Sequence, residues 1–355
     1  MTALSAFSIP ALARCWLLLL GLAAIAASLG GCSTAPGALS AFASATPDAP
    51  TGIGAKPAVI AVTTRNAVNG GRSKPWFGTQ RANQASTVRI EMSSPADGAL
   101  SAVGLSDWRI KKVDAITLGE HFSADIGRRR DVLIYVHGFN QNFETAVLDA
   151  ARLSDGLKFS GETLLFSWPS KNSMMNYIYD RESAMWSRDA LEDMLDQLVR
   201  EPAVGNIHIV AHSMGTMVTV EALRQLYDRR GGSMSGRFGA VILASPDIDM
   251  DSFTSSITRL GGFSRKITVL TVANDRALGA MSNMAGGVTR VGTAEKEQLD
   301  KLGVRVIDAS QLAGGGLNHD LFLTNTDVRQ TIRSFIDGAR PPAVASGGGS
   351  LDAIQ

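Results

Sequence analysis

Residues 207–216 read Ile-His-Ile-Val-Ala-His-Ser-Met-Gly-Thr, and no other stretch restricts the possible folds so tightly. A short apolar run, Ile207 to Val210, ends in Ala211-His212-Ser213-Met214-Gly215, and a helix-like stretch from Met217 to Tyr227 follows. A strand, a sharp turn and a helix in that order are the setting in which a G-x-S-x-G-type pentapeptide becomes a nucleophile elbow. The turn is tight, so the residues two before and two after the serine must be small. Here they are Ala211 and Gly215, the first only a methyl larger than glycine. The strain of such a turn pushes the Ser213 hydroxyl out of the sheet, where a base can reach it.

The surrounding pattern suits that elbow. Short apolar runs alternate with amphipathic stretches, which argues for an α/β fold with a mostly parallel central sheet and helices on both faces. Strands are expected at residues 59–63, 87–92, 108–116, 132–136, 163–166, 207–210, 240–244, 267–272 and 304–307. Helices are expected at 143–157, 181–199 and 325–338; the last has Val328, Ile332, Phe335 and Ile336 on one apolar face and Asn325 or Thr326 as its cap. The domain should run over residues 58–340, about 280 residues, enough for one large α/β domain.

A serine hydroxyl is a poor nucleophile until a base takes its proton. The usual base is histidine, and there are five to sort. His208 sits inside the strand before the elbow. His212 adjoins Ser213 in a constrained turn, cannot easily fold back onto it, and is read as shaping the pocket. His137 belongs to a different turn, and His121 precedes the core strands. His319, in the loop Gly314-Gly315-Gly316-Leu317-Asn318-His319, is the one histidine downstream of Ser213. Chains built around this elbow order their partners nucleophile, acid, histidine, so His319 is the expected base. The acid should follow a strand between them. Asp275, after Val269 to Asn274, and Asp247 or Asp249, after Ala240 to Pro246, both qualify; the later strand favours Asp275, whose alternative job is to cap a helix from Arg276. Asp247, Asp249 and Asp251 mimic the start of a calcium loop, but Ser252 and Thr258 stand where Gly and Glu are needed, so they are read as turn and capping residues and no metal site is expected.

The oxyanion of an acyl-transfer intermediate also needs donors. One is expected from the Met214 N–H, after the nucleophile. The other should come from the loop after residues 132–136, which reads His137-Gly138-Phe139-Asn140, with Phe139 supplying the N–H. Two such donors contribute about 2.7–4 kcal/mol each to the transition state. His137, Gly138, His212, Trp168 and Tyr179 are the expected pocket residues. The segment from Trp168 to Trp186, rich in Met and aromatic residues, either lines an acyl pocket as a lid or packs a helix on the sheet.

The motifs Tyr135-Val136-His137-Gly138-Phe139-Asn140, Phe166-Ser167-Trp168-Pro169-Ser170, Tyr179-Asp180-Arg181-Glu182-Ser183-Ala184, Ala211 to Thr216, Pro246-Asp247-Ile248-Asp249 and Asn274-Asp275-Arg276-Ala277-Leu278 together resemble a bacterial α/β-hydrolase family of the esterase/lipase superfamily, filed as a domain of unknown function. The resemblance covers about residues 58 to 340. It implies the α/β-hydrolase fold and a serine triad and leaves the substrate open. The expectation is a serine hydrolase that cleaves a carboxylic ester through an acyl-enzyme and needs no cofactor. Phospholipase, thioesterase or acyltransferase action by the same triad, and a non-catalytic scaffold, are the alternatives.

The ends of the chain speak to location. Arg14, the apolar run from Cys15 to Leu29 and the sequence Leu29-Gly30-Gly31-Cys32 describe an export signal that resembles a bacterial lipobox, with residues 1–31 as signal peptide and Cys32 as the lipidated mature N-terminus. Acyl chains there would hold the protein at a membrane, at about 0.8 kcal/mol per buried methylene. Ser33 in place of Asp favours the outer membrane, with the domain facing the periplasm. Residues 32–57 read as a flexible Ala/Ser/Pro-rich tether and 341–355 as a Gly/Ser tail. The two cysteines, Cys15 and Cys32, leave the mature domain without thiol chemistry or a Cys-based zinc site. A formal net charge of +1 gives no pointer to nucleic acid. The expected partners are an ester-type small molecule or lipid, and the membrane.

Overall fold

A computed structural model of the protein describes residues 58–95, 107–123, 129–284, 287–313 and 318–338. The signal segment, Cys32, the tether, the glycines ahead of His319 and the tail lie outside the described residues.

Nine strands form one sheet. They are β1 (Ala58–Ala67), β2 (Phe77–Ser93), β3 (Arg109–Ala115), β4 (Arg130–Val136), β5 (Glu162–Ser167), β6 (Val204–His212), β7 (Phe238–Ala244), β8 (Ile267–Thr271) and β9 (Arg305–Asp308). Their order is β3-β2-β1-β5-β4-β6-β7-β8-β9. β2 runs antiparallel to β1 and β3, and every other neighbouring pair is parallel. Between and after them come the helices α1 (Leu118–Ser123), α2 (Phe143–Gly156), α3 (Tyr177–Trp186), α4 (Arg188–Arg200), α5 (Met214–Arg230), α6 (Met250–Leu260), α7 (Arg276–Met284), α8 (Lys296–Asp300), α9 (Leu321–Thr324) and α10 (Thr326–Ile336). This is the mostly parallel α/β sheet expected from the alternating pattern.

The parallel strands read as continuous apolar runs because helices cover both faces. Along β4, Val132, Ile134 and Val136 enter one core with Leu191, Leu195 and Leu198 of α4 and Val218 and Leu223 of α5. Leu133 and Tyr135 enter the other, with Phe143 and Val147 of α2 and Val328 and Ile332 of α10. The period of two along the strand thus sorts its side chains between two cores. Caps fix the helix starts. The Asn142 side chain accepts from the Thr145 N–H at 2.8 Å, and Asn325 accepts from the N–H groups of Asp327 and Val328.

Two elements differ from the sequence expectation. The single helix expected over 181–199 is two, α3 and α4, broken at Ser187. The Ser187 hydroxyl donates to the Ser183 carbonyl at 2.8 Å and lies 2.9 Å from Thr64 Oγ1 on β1, so it competes with the helix for backbone partners and ties the break to the sheet. β2 begins ten residues earlier than expected, at Phe77 rather than Thr87. Its first half, with exposed Gln80, Arg81, Asn83 and Gln84, has little buried face and so no apolar alternation to read.

The chain order creates the crevice. From β4 the chain first steps outward to β5, then returns to place β6 on the other side of β4. In open parallel sheets, ligands bind outside the carboxyl ends of the strands where the winding reverses. Those ends here are His137, after β4, and Ser213, after β6.

Candidate active site

Ser213 joins β6 to α5 with φ 50° and ψ −121°, a left-handed backbone that costs a non-glycine residue of order 1–3 kcal/mol. The surroundings hold it there. The Ser213 N–H donates to the Ala244 carbonyl at 2.9 Å, and its own carbonyl accepts from the Thr216 hydroxyl and from the Asp247 N–H at 3.3 Å. Gly215 is small for a visible reason: a β-carbon there would lie 2.3 Å from the His137 carbonyl oxygen and 2.7 Å from that of Val136. The elbow therefore sits hard against the end of β4. Gly138 makes the reciprocal approach, since a β-carbon on it would lie 2.9 Å from His212 Nδ1 and 3.0 Å from Ser213 Cβ.

Asp275 follows β8, and His319 follows β9. The structure brings them together, His319 Nδ1 to Asp275 Oδ2 at 2.7 Å. Asp275 is buried, and its other oxygen, Oδ1, accepts from the Leu278 N–H at 3.0 Å at the start of α7. The capping job and the histidine contact, alternatives in the sequence, are held by one carboxylate. Burial by itself would lower the His319 pKa. The hydrogen bond and charge of Asp275, with the charges of Asp247 and Asp320 behind, outweigh burial and raise it above the ordinary 6.5. His212 holds His319 from the other side. Its Nε2 lies 3.1 Å from the His319 carbonyl oxygen, and the two rings are 4.7 Å apart. Burial, then the neighbouring His319 charge, push the His212 pKa well down, so His212 is neutral and donates from Nε2.

The turn after β4 carries Gly138 and Phe139, with Asn140 in the left-handed region at φ 59°. The Phe139 ring packs edge-on against Tyr177, centroids 5.4 Å apart. Three expected pocket residues sit elsewhere than on an open wall. His137 is fully buried beneath the turn, with its pKa lowered to about 3 by burial and then by the charge of Arg65. Trp168 is fully buried as well, stacked on the His137 ring at 4.8 Å, with Nε1 donating to the His137 carbonyl at 2.8 Å. A large aromatic just past the end of β5 thus supports the loop from below. Tyr179 turns away toward β2: its hydroxyl donates to the Thr79 carbonyl at 3.2 Å, and Lys171 and Arg81 sit over its ring.

A buried ionic cluster beside the elbow was not legible in the sequence. Asp247 Oδ1 lies 3.2 Å from Arg290 Nε, both side chains almost wholly buried, and Asp247 Oδ2 accepts from the Tyr177 hydroxyl at 2.9 Å. Burial, then the Asp247 charge, push the Tyr177 pKa up to about 12, so the phenol keeps its proton. Asp247 is therefore a core carboxylate, ion-paired with Arg290 and hydrogen-bonded by Tyr177, rather than a turn residue. Asp249 does cap α6, accepting from the Ser252 N–H at 2.9 Å. Among the described residues, no group of three or more His, Cys, Asp or Glu is placed to hold a metal.

The segment from Met174 through α3 is unusual in what it exposes. Met175 is 91% exposed, Ile178 74%, Met174 43% and Trp186 41%. Tyr177, between Met175 and Ile178, points inward to Asp247, whose N–H donates to the Ser213 carbonyl, so the Met174 to Ile178 end of this segment borders the elbow.

Residues 115–335 match the family described as alpha/beta hydrolase of unknown function (DUF900). An uncharacterized protein of a Nostoc species is 26% identical over 125 residues, 28% of this chain and 33% of that protein, so the match spans about a third of that relative. Among solved structures, a monoclinic form of a Pyrobaculum calidifontis esterase has a TM-score of 0.36 at 14% identity, covering 72% of this chain and 82% of that one. Est1E from Butyrivibrio proteoclasticus has a TM-score of 0.38 at 12% identity, covering 71% and 96%. Aspergillus fumigatus lipase B has a TM-score of 0.39 at 13% identity, covering 61% and 54%.

Proposed function

The chain belongs to this family of α/β-hydrolases, and from that premise we propose that it is a serine hydrolase cleaving a carboxylic ester at the bacterial cell envelope. The observation that carries the reading is the 2.7 Å contact between His319 Nδ1 and a buried Asp275, with His319 held in turn by His212, the residue before a strained Ser213 at the switch point of the sheet. Asp275 keeps the His319 proton on Nδ1, leaving Nε2 free to accept one. Ser213 Oγ attacks the carbonyl carbon as its proton passes to Nε2. The Met214 and Phe139 N–H groups hold the oxyanion. The tetrahedral intermediate collapses, the carbon–oxygen bond to the alcohol breaks, and His319 returns the proton to the departing oxygen. Water then attacks the acyl-enzyme by the same route and frees Ser213. The anchor is the lipid on Cys32, supported by the apolar run from Cys15 to Leu29.

Thioesters, amides and acyl transfer to an alcohol need the same groups, so side-by-side assays decide among them. 4-Nitrophenyl butyrate should give a burst of about one nitrophenol per chain and a butyryl mass on the Ser213 peptide after acid quench. A folded protein that hydrolyses the ester without acylating Ser213, or not at all, sinks the reading. A second reading, a phospholipase working at the membrane surface, draws on the exposed Met174, Met175 and Ile178 that flank Tyr177, since neighbouring exposed apolar side chains mark interaction surfaces.

A further inference from the structure

A buried guanidinium stands behind the turn that carries Phe139. Arg65 lies on β1, 0% exposed, and burial pulls its pKa down to about 9 against the opposing charges of Asp180, Glu144 and Tyr179, so it is charged at neutral pH. A buried charge is tolerated where hydrogen bonds replace water. Arg65 has them. Nε donates to Ser167 Oγ at 2.9 Å; one terminal nitrogen donates to the carbonyls of Gly78 at 3.2 Å and Ser170 at 3.1 Å; the other donates to the Gln141 carbonyl at 2.8 Å and faces His137 Nε2 at 3.4 Å. His137 and Gln141 are the two ends of the Gly138-Phe139-Asn140 turn, so one side chain grips both.

The grip has a consequence for a single peptide bond. His137 is neutral and so carries one ring N–H. Nδ1 meets only an acceptor, the Gly138 carbonyl. Nε2 lies 3.1 Å from the Trp168 carbonyl but also faces two groups that can donate, the Ser167 hydroxyl at 3.3 Å and the Arg65 guanidinium at 3.4 Å, which has only N–H groups to offer. The shorter contact and the two donors place the proton on Nδ1 and make Nε2 the acceptor. Nδ1 then donates to the Gly138 carbonyl at 2.8 Å. In the other tautomer Nε2 would donate to the Trp168 carbonyl at 3.1 Å, but then an Arg65 N–H would face an N–H, and the Nδ1 lone pair would face the Gly138 oxygen. The Gly138 carbonyl and the Phe139 N–H belong to one planar trans peptide and point in opposite directions. Fixing the carbonyl toward the buried ring aims the N–H away from it, to the open side of the turn.

We propose that Arg65 is a positioning residue for the reaction: through His137 it locks the Gly138–Phe139 peptide so that the Phe139 N–H is preset for the oxyanion. The inference rests on the serine hydrolase reading for its consequence, though not for its geometry. The test has two independent readouts on the full chain. In protein carrying ¹⁵N-histidine, the long-range proton–nitrogen spectrum distinguishes ring tautomers, and His137 is identified by the signal missing in His137→Gln. The parent should show His137 as the Nδ1–H tautomer, without titration between about pH 5 and 9. Arg65→Met should lose that preference and lower kcat for 4-nitrophenyl butyrate by about a hundredfold or more, with KM within about twofold. Arg65→Lys keeps the charge but has three N–H groups on a single nitrogen, where Arg65 reaches five partners from three nitrogens set in a rigid fork, so kcat should stay low. An Nε2–H tautomer in the parent, parent kcat in a folded Arg65→Met, or full rescue by lysine would each overturn the proposal. Should Arg65→Met not fold, the parent spectrum and the lysine variant still decide. Should the parent neither turn over esters nor acylate Ser213, the hydrolase reading fails, while the tautomer spectrum still reports whether Arg65 sets His137.

Discussion

Asp275→Asn separates the two jobs of one carboxylate. Oδ1 receives the Leu278 N–H at 3.0 Å, and Oδ2 receives His319 Nδ1 at 2.7 Å. Asparagine caps helices about as well as aspartate, so the first job survives and the capping term changes by less than about 1 kcal/mol. The second does not. With the amide oxygen kept by Leu278, the amide NH₂ faces His319 Nδ1, and a donor there forces Nδ1 to become the acceptor. The ring proton then moves to Nε2, the atom that must accept the proton of Ser213. The wrong tautomer costs of order 10⁴ in kcat, about 5–6 kcal/mol of transition-state stabilisation. Stability carries an independent sign. The His319 pKa is raised in the folded state, so its contribution is fully present below about 6.5 and is lost as pH rises through the folded value. The melting-temperature gap between parent and Asp275→Asn should therefore be wider at about pH 5.5 than at about pH 8.5. Steady-state kinetics on 4-nitrophenyl butyrate and thermal melts at both pH values measure the two effects. A folded Asp275→Asn with kcat within about tenfold of the parent would refute the assignment of Asp275 as the acid.

Three further perturbations have definite expected outcomes. Asp247→Asn leaves Arg290 buried without its carboxylate and should cost about 3–5 kcal/mol in urea unfolding; because the Asp247 charge is one of those raising His319, the acid limb of kcat/KM, which should lie above pH 6.5 in the parent, should move down in the variant. Gly215→Ala puts a methyl 2.3 Å from the His137 carbonyl oxygen and 2.7 Å from that of Val136, backbone that cannot yield, so urea unfolding should show a loss of about 3 kcal/mol or more, and acylation of Ser213 should fall with it. Met175→Asp with Ile178→Asp should leave the urea midpoint nearly unchanged, since both side chains are exposed, within about 0.5 kcal/mol. If the membrane-surface reading holds, the pair should lower turnover of a vesicle-embedded ester while sparing a soluble one; equal effects on both would remove that reading.

What the sequence revealed follows from which forces leave a local trace. A strand buried on both faces writes itself as an apolar run, and all the parallel strands were found that way; β7, for example, is Phe-Gly-Ala-Val-Ile-Leu-Ala. The elbow was legible because its geometry admits few residues at 211 and 215. The proximity of Asp275 and His319, forty-four residues apart, could be anticipated only from chain order. Long-range polar pairing left no trace. Asp247 and Arg290 meet across 43 positions, and Asp247 resembled any turn aspartate. Arg65 ends the run Ala58 to Thr64, and an arginine there reads as the point where a strand leaves the core, although it is one of the most deeply buried side chains. Trp168 and Tyr179 look alike on a sequence, as aromatics near a site. Their surroundings assign one to the underside of a loop and the other to the β2 hairpin. The break at Ser187 depends on a hydroxyl meeting Thr64, again a partner distant in the chain.

The central claim is that Ser213 is an activated nucleophile served by His319. Fluorophosphonate labelling of the full chain, with peptide mapping, tests it without assuming a substrate. Labelling confined to the peptide containing Ser213, absent in Ser213→Ala and slowed by about a thousandfold or more in His319→Ala, is the predicted result. A folded protein that takes no label, or takes it equally well in His319→Ala, would contradict the account.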